Sequence, residues 1–225
     1  MKYTTPYEPP TLTVDAVIFE LIDDVLNVLL LKRQNDPFKG SWALPGGYDA
    51  KGETTMTALN RKVFEKTGVD ITKDLSYIEQ LYTFDTVARD PRGHAVSVTY
   101  MGCGMNIDQR IASERCAFFP VNTLPRLAYD HADIIEYAHQ RLMSKLTYTN
   151  AVYAFLRSNF TLSELQSAYE AILGHHLDKR NFRKKILDLG FIEMTNQMRR
   201  GGAHRPAQLY KFRSNELESL SRSLE

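Results

Sequence analysis

One segment, residues 47 to 69, constrains this chain more than any other because glycines and charged residues recur in it at fixed intervals. It reads GYDAKGETTMTALNRKVFEKTGV. Five residues separate Gly47 from Glu53, a charged run extends from Arg61 to Lys66, and Gly68 follows it. Positions 62, 65 and 66 share one face of a helix through their i, i+3 and i+4 spacing. The segment therefore predicts a loop, a helix and a second loop that gather charged side chains at one place.

This segment resembles the Nudix box, whose clustered glutamates hold the magnesium ions of a hydrolase. Gly47, Glu53 and Glu65 match the box, but Lys62 and Lys66 stand where metal-binding glutamates belong. The two replacements make the site about four charge units more positive than in a hydrolase. We therefore expect a pocket that binds a diphosphate without metal or cofactor and is not an enzyme. The alternative interpretation is an ordinary amphipathic helix with solvated charges.

The sequence around the box predicts a mixed α/β Nudix domain over residues 1–145. The run from Val28 to Arg33 and the segment Gly40 to Leu44 resemble the strand and loop that lead into the box of Nudix proteins. A helix is expected from His131 to Lys145 with Asp130 as its N-cap. Patterns of β-branched and apolar residues predict strands at 13–21, 25–32, 76–85, 95–105 and 116–120.

The sequence argues against a membrane-spanning protein, an exported protein and a cysteine-based metal site. No apolar run approaches the roughly 18 residues that a membrane-spanning helix needs. The N-terminal residues carry no positive-then-apolar export signal. Cys103 and Cys116 are the only cysteines, and they lack metal-ligand spacing. These features predict a cytoplasmic protein with reduced thiols.

Charge is divided unequally along the chain. Residues 1–140 contain 14 basic and 19 acidic residues, whereas residues 141–225 contain 14 basic and 8 acidic residues. Within 177–213 the imbalance rises to 10 basic against 3 acidic. Such asymmetry indicates a polyanionic partner, nucleic acid above all, for the C-terminal part.

Residues 146–225 predict a smaller winged helix-turn-helix domain. Thr161 and Glu164 form a capping box at the start of one helix, which ends at Gly174. A second helix follows over 178–190, then a strand at 191–194, a basic loop over 195–206 and a strand at 208–212, which is the order of a winged helix. We expect DNA contacts from the second helix and the loop: Lys179, Arg180, Asn181, Arg183, Lys184, Arg199, Arg200, His204 and Arg205.

Two other interpretations apply to this C-terminal part. A basic helical hairpin docked on the first domain would show the same helix pattern. An RNA-binding module is disfavoured because no GXXG loop or aromatic stacking sheet is evident. His175 and His176 are adjacent but lack further ligands nearby, so they are interpreted as turn residues and not as a metal site.

A degenerate Nudix domain followed by a winged helix resembles the Nudix-related transcriptional regulators of NAD metabolism, the NrtR family. Three further segments support this: RDPRGHAVSVTY at 89–100 resembles a strand of ADP-ribose-type Nudix proteins, and LAYDH at 127–131 and DKRNFRKK at 178–185 resemble elements of these regulators. The resemblance implies a homodimeric repressor that binds an operator and is released by ADP-ribose or a related nucleotide. Some relatives with this architecture respond to sugars such as arabinose, so the effector stays open.

The candidate effector site combines phosphate-binding, orienting and stacking residues. Glycines permit close backbone approach, lysines and arginines supply charge, and an aromatic ring can stack on adenine. The residues expected there are Arg33, Trp42, Gly46, Gly47, Glu53, Lys62, Glu65, Lys66, Arg89 (or Arg92), Tyr100 and His131. His131 is placed at the mouth of the pocket, with the alternative that it is simply the residue after a helix N-cap. The alternative for Trp42 and Tyr100 is that they belong to the hydrophobic core.

A surviving hydrolase is the main rival function. Glu53 and Glu65 are retained, and Glu79 or Asp85 could supply an acid from outside the box. Such an enzyme would use its winged helix for autoregulation.

Overall fold

The computed structural model of this protein describes residues 9–111, 113–199 and 206–220. Its N-terminal part contains seven strands and two α-helices. Their bounds are β1 Thr11–Ile22, β2 Val25–Lys32, β3 Trp42–Ala43, β4 Gly46–Tyr48, α1 Thr55–Thr67, β5 Tyr77–Phe84, β6 Ala95–Cys103, β7 Cys116–Pro120 and α2 His131–Tyr148. Within the described ranges, no helix combines the length and apolar character needed to cross a membrane.

One mixed sheet forms the centre of this part. Its order is β3-β2-β1-β6-β5, with β4 paired to β1 and β7 paired to β2. The central pair β1 and β6 is parallel, and the other pairs are antiparallel. Alternate residues of β1 face opposite sides, so Val14 and Ile18 pack with α1 while Val17 and Phe19 pack in the cluster that contains α2. The predicted layout of a sheet between helices is confirmed.

Helix α1 forms as its sequence predicts. The Thr54 hydroxyl accepts a hydrogen bond from the Thr57 amide (3.2 Å), and Gly68 ends the helix at a positive φ of 85°. Leu59 and Val63 are buried, whereas Glu65 is exposed. The loop–helix–loop therefore presents its charged residues on the face away from the core.

The C-terminal part contains two helices and a two-stranded wing. A short 3₁₀ helix, Ala151–Phe155, precedes α3 Leu162–Leu173, α4 Lys179–Leu189, β8 Ile192–Arg199 and β9 Ala207–Phe212. Both bonds of the predicted Thr161–Glu164 capping box are present. Strand β8 continues five residues beyond its predicted end at Met194, because pairing with β9 resumes after an irregularity, with Met198 opposite Gln208 and Arg199 opposite Ala207.

The two parts of the chain share one hydrophobic core. The cluster that contains Val17 and Phe19 of β1 also contains Tyr169 of α3, Phe182 of α4 and Phe212 of β9. Helix α2 runs to Tyr148, so the boundary predicted after residue 145 falls inside a continuous helix. The winged helix therefore packs directly on the sheet domain.

Candidate functional site

A cavity of about 320 Å³ lies between β1, β4, α1 and the start of α2. Its wall is strongly cationic, with seven basic and three acidic side chains. The basic residues are Lys32, Arg33, Lys62, Lys66, Arg89, Arg92 and Arg115, and the acidic residues are Asp15, Glu65 and Asp90. This excess of positive charge suits a polyanionic ligand.

Two glycines leave the space that the box lysines occupy. A Cβ on Gly46 would come within 2.1 Å of the Val14 carbonyl oxygen. A Cβ on Gly47 would lie 3.1 Å from Cδ of Lys62 and 3.5 Å from Nζ of Lys66. Only glycines therefore allow the β4 backbone to pack against β1 and both lysines at this point.

The Lys66 side chain turns inward and donates a hydrogen bond to the Gly46 carbonyl. Burial lowers the pKa of Lys66 from its usual value, and the nearby Asp15 carboxylate partly opposes this effect. The ammonium group of Lys62 instead donates to Glu65 at 3.0 Å. One lysine thus lies at the cavity wall against the backbone, and the other pairs with a box glutamate.

The retained glutamates Glu53 and Glu65 are both paired with basic side chains. Glu53 accepts two hydrogen bonds from Arg61, which lower its pKa, and it does not line the cavity. The Lys62 ammonium, and then Arg61, lower the pKa of Glu65. Among the described residues, no three His, Cys, Asp or Glu side chains are grouped closely enough to hold a metal ion. The donor set therefore does not fit the metal cluster that the Nudix fold implies.

The outside acids considered for a surviving hydrolase lie elsewhere. Glu79 pairs with Lys145 of α2 at 2.9 Å, and neither residue lines the cavity. Asp85 is exposed just after β5 and is also absent from the cavity wall. Neither carboxylate is positioned to replace a missing box glutamate.

Arg89 forms a buried ion pair with the start of α2. Its guanidinium donates two hydrogen bonds to the Asp130 carboxylate, at 2.9 and 2.8 Å. Asp130 occupies the predicted N-cap position, but its side chain makes no capping bond. The capping prediction was wrong in its mechanism, because the bidentate pair with Arg89 takes up the carboxylate.

His131 lies on the cavity wall but is almost fully buried, with 4% of its surface exposed. Its Nδ1 accepts a hydrogen bond from the Leu44 amide at 2.8 Å. Burial lowers the pKa of His131, and Asp15 opposes the shift. The prediction that His131 lies at the pocket mouth was wrong, since the side chain is buried against the Tyr129 ring and the Leu44 backbone.

The aromatic residues of the cavity differ from those expected. Trp42 packs edge-on against Phe119, with ring centroids 4.6 Å apart, and Tyr100 is buried behind α1 and hydrogen-bonded to Thr55. Neither ring lines the cavity. The structure corrects both predictions, because these two side chains fill the hydrophobic cores on either face of the sheet.

Tyr48 and Tyr129 line the cavity instead. The Arg92 guanidinium lies 5.6 Å from the Tyr48 ring and 5.8 Å from the Tyr129 ring, and Arg33 lies 4.8 Å from Tyr129. Neither tyrosine was among the site residues predicted from the sequence. Only the presence of Tyr129 inside the LAYDH segment could have indicated one of them.

The exposed face of α4 carries the basic residues that were expected to contact DNA. Phe182 and Ile186 are buried, while Lys179, Arg180, Asn181 and Lys184 are exposed. Arg183 is half-buried, and one of its guanidinium nitrogens lies 3.5 Å from the Ser163 hydroxyl. The helix is therefore anchored on one side and presents its positive side to solvent.

The basic loop of the wing is described only in part. Arg199 ends β8 and pairs with Glu164, so it is not a free cation at this position. Arg200, His204 and Arg205 lie outside the described residues.

In the turn between α3 and α4, His176 pairs with Glu170 at 3.2 Å.

Comparisons with known proteins identify both parts of the chain. The NUDIX domain family matches residues 11–138, and the NrtR DNA-binding winged helix domain matches residues 152–212. An Acinetobacter baylyi protein named "ADPR responsive transcriptional repressor NtrR" is 39% identical over 214 residues, which cover 92% of this chain and 83% of that protein. The chain belongs to the NrtR family.

Solved NrtR structures share this architecture. Shewanella oneidensis NrtR complexed with a 27mer DNA has a TM-score of 0.79 and 35% identity, and the match covers 95% of this chain and 99% of that one. The NUDIX domain of the same protein complexed with ADP ribose has a TM-score of 0.53 and 38% identity, covering 62% of this chain and 94% of that one. These matches confirm the NrtR resemblance and the Nudix-plus-winged-helix fold inferred from the sequence.

Proposed function

We propose that this protein is an ADP-ribose-responsive transcriptional repressor of NAD metabolism genes. In this proposal it acts in the cytoplasm as a homodimer that binds an operator through α4 and the wing. ADP-ribose binds the cationic cavity and weakens DNA binding. The Nudix-like domain is a sensor without hydrolase activity or a required cofactor.

The observation that carries this proposal is the position of Lys62 and Lys66. Both line the cavity, and the two retained Nudix-box glutamates, Glu53 and Glu65, are paired with Arg61 and Lys62. A diphosphate can therefore be neutralised there by ammonium and guanidinium groups without a metal ion. The proposed effector contacts are Arg33, Gly46, Gly47, Tyr48, Lys62, Lys66, Arg89, Arg92, Tyr129 and His131.

The DNA-binding half of the proposal rests on α4. Its exposed Arg180 and Asn181 are placed early in the helix, where base edges are read, and Lys184 lies one turn later. The relatives support this assignment, since one is named as an ADPR-responsive repressor and another is solved with DNA. A winged helix presents a small surface to DNA, so two copies on a pseudo-palindrome are expected.

Two other functions are less well supported by the geometry. A surviving ADP-ribose hydrolase would need magnesium ligands that the described residues do not bring together. A sugar such as arabinose would leave the excess of cations in the cavity without a partner.

The decisive experiment uses the full chain and a duplex selected from a random-sequence pool. Operator affinity is measured at one salt concentration with and without ADP-ribose, and ADP-ribose affinity is measured on free and DNA-bound protein. We expect ADP-ribose to weaken DNA binding, and DNA to weaken ADP-ribose binding by the same factor. Two chains should bind each duplex, with half-sites about 10 or 21 base pairs apart.

Three results would contradict the proposal. Equal ADP-ribose affinity for free and DNA-bound protein would separate the cavity from DNA control. Magnesium-dependent turnover of ADP-ribose within the range of about 1–10³ s⁻¹ that is usual for enzymes would favour the hydrolase. One chain per duplex would exclude the proposed homodimer.

A further inference from the structure

Two buried polar side chains face each other across the cavity wall without touching. Nε2 of His131 lies 3.9 Å from Oδ1 of Asp15, which is beyond hydrogen-bonding range. The exposed fractions of these residues are only 4% and 7%. Within the part of the chain that the structure describes, the side-chain hydrogen bonds of these two residues are made by their other polar atoms, His131 Nδ1 and Asp15 Oδ2. Both residues line the cavity.

The hydrogen bond of the other ring nitrogen determines the tautomer of His131. Nδ1 accepts from the Leu44 amide at 2.8 Å, so it carries no proton. Burial lowers the pKa of His131, which keeps the ring neutral. A neutral imidazole has one proton, and here that proton must be on Nε2. His131 therefore presents a hydrogen-bond donor toward Asp15.

The Asp15 carboxylate is oriented by its second oxygen. Oδ2 accepts a hydrogen bond from the Ser97 hydroxyl at 2.6 Å and lies 3.8 Å from the Arg89 guanidinium. These contacts hold the carboxylate from behind and leave Oδ1 directed at the His131 side. A fixed acceptor thus lies opposite a fixed donor.

We propose that Asp15 and His131 form a subsite for a ribose hydroxyl of the effector, an inference that rests on the function proposed above. The imidazole Nε2–H donates to the hydroxyl oxygen, and the hydroxyl donates to Asp15 Oδ1. A single oxygen about 2.8 Å from both atoms fits the 3.9 Å gap.

The chemistry of the pair selects a hydroxyl over other ligand groups. A phosphate oxygen would accept from His131 but would be repelled by the Asp15 carboxylate. A carbonyl lacks the proton for Asp15, and an ammonium lacks the acceptor for His131. A hydroxyl both donates and accepts, so it satisfies both residues at once. The phosphates are left to the lysines and arginines elsewhere on the wall.

Two substitutions at His131 distinguish a contact with the ligand through Nε2 from support of the Leu44 backbone through Nδ1. In His131→Asn the amide oxygen takes the place of Nδ1, which keeps the bond to the Leu44 amide but removes the Nε2 donor. In His131→Gln the amide nitrogen takes the place of Nε2, which keeps the donor but removes the acceptor for Leu44. Binding of ADP-ribose, ADP and inorganic pyrophosphate is measured calorimetrically on the full chain without DNA.

We expect His131→Asn to weaken ADP-ribose binding by at least about tenfold, while His131→Gln keeps most of the wild-type affinity. Pyrophosphate has no hydroxyl group of a sugar, so it reports on the phosphate subsite alone and should bind the wild type and both variants similarly. The ADP titration shows which of the two riboses of ADP-ribose occupies the subsite. Unchanged ADP affinity in His131→Asn assigns the subsite to the terminal ribose, and an equal loss assigns it to the adenosine ribose.

Other outcomes would overturn the subsite. Wild-type affinity for ADP-ribose in His131→Asn, or a larger loss in His131→Gln than in His131→Asn, would show that the histidine only supports the Leu44 backbone. If the variants do not fold, the wild-type protein decides. The subsite is overturned if affinity is unchanged both when ADP replaces ADP-ribose and when 2′,3′-dideoxy-ADP replaces ADP. A wild-type protein that does not bind ADP-ribose would overturn the proposed function as well.

Discussion

Lys66 shows how one residue changes what a Nudix box can hold. In a hydrolase this position carries a metal-binding glutamate, whereas here the ammonium group donates to the Gly46 carbonyl and is partly buried. Burial lowers the pKa of Lys66, and the nearby Asp15 carboxylate opposes this shift. An anionic ligand would supply a further partner for this charge.

The first prediction concerns the double variant Lys62→Glu, Lys66→Glu. It should bind a diphosphate such as ADP-ribose at least about tenfold more weakly without metal, because two attractive charges become repulsive. Magnesium should restore part of the affinity, since the two new carboxylates can hold the ion. Calorimetric titration with and without Mg²⁺ measures both effects.

A matched control has the same change in charge outside the cavity. Lys39 and Lys51 are exposed and do not line the cavity, so their replacement by Glu should leave ADP-ribose affinity within about twofold of wild type. If the two double variants behave alike, the box lysines act only through the overall charge of the protein.

At the scale of an element, α4 is suited to enter a DNA groove. Asp178 caps it by accepting from the Asn181 amide at 2.8 Å, and Gly190 ends it with a φ of 71°. Phe182 packs edge-on against Tyr169 of α3, with ring centroids 5.3 Å apart. The helix is thus fixed along its apolar side, which gives its exposed basic residues a defined orientation.

The next prediction separates base reading from phosphate binding on α4. Arg180→Ala or Asn181→Ala should relax the preference at one operator position by about 1–3 kcal/mol. Lys184→Ala should weaken binding to all duplexes alike and reduce the slope of log affinity against log salt by about one. Affinities for an operator and its single-base variants across a salt series distinguish the two effects.

ADP-ribose affinity of the free protein is the control for these α4 variants. It should stay at the wild-type value because α4 does not line the cavity. A uniform loss of affinity in Asn181→Ala, with unchanged preference at every operator position, would assign this residue to the phosphates.

The whole molecule joins sensing and DNA binding through one core and one helix. Helix α2 begins at the cavity with His131, and its His139 contacts the Ile172 carbonyl of α3 at 2.7 Å. The Tyr153 hydroxyl donates to the Ser76 carbonyl at 3.0 Å, which adds a bond between the two parts. Helix α2 is therefore the element through which we expect ligand binding at the cavity to reach the winged helix.

This shared core predicts cooperative unfolding of the full chain. We expect a single thermal transition, with aromatic and backbone signals from both parts changing together. ADP-ribose at 100 times its dissociation constant should add about 2.7 kcal/mol to the stability of the whole protein. Calorimetry together with near- and far-ultraviolet circular dichroism measures this. Two transitions, of which only one moves with ADP-ribose, would mean that the parts unfold independently.

Sequence alone determined the elements whose signals are local. The Thr161–Glu164 capping box, the Gly68 end of α1 and the two faces of α4 depend on residues within a few positions of each other. These signals do not depend on tertiary contacts, so the Nudix box and the helix–helix–wing order could be predicted from the sequence. The lysines of the box were equally visible because they occupy fixed positions in that pattern.

Only the tertiary structure decided which side chains meet at the cavity. Trp42 and Tyr100 lie on strands, where the face that a side chain takes depends on the strands and helices that cover the sheet. Asp15 and Tyr129 are 114 positions apart in the chain, yet the packing of β1 against the start of α2 brings both to one wall. Local spacing carries no information about such long-range contacts, so the site became complete only when the chain was folded.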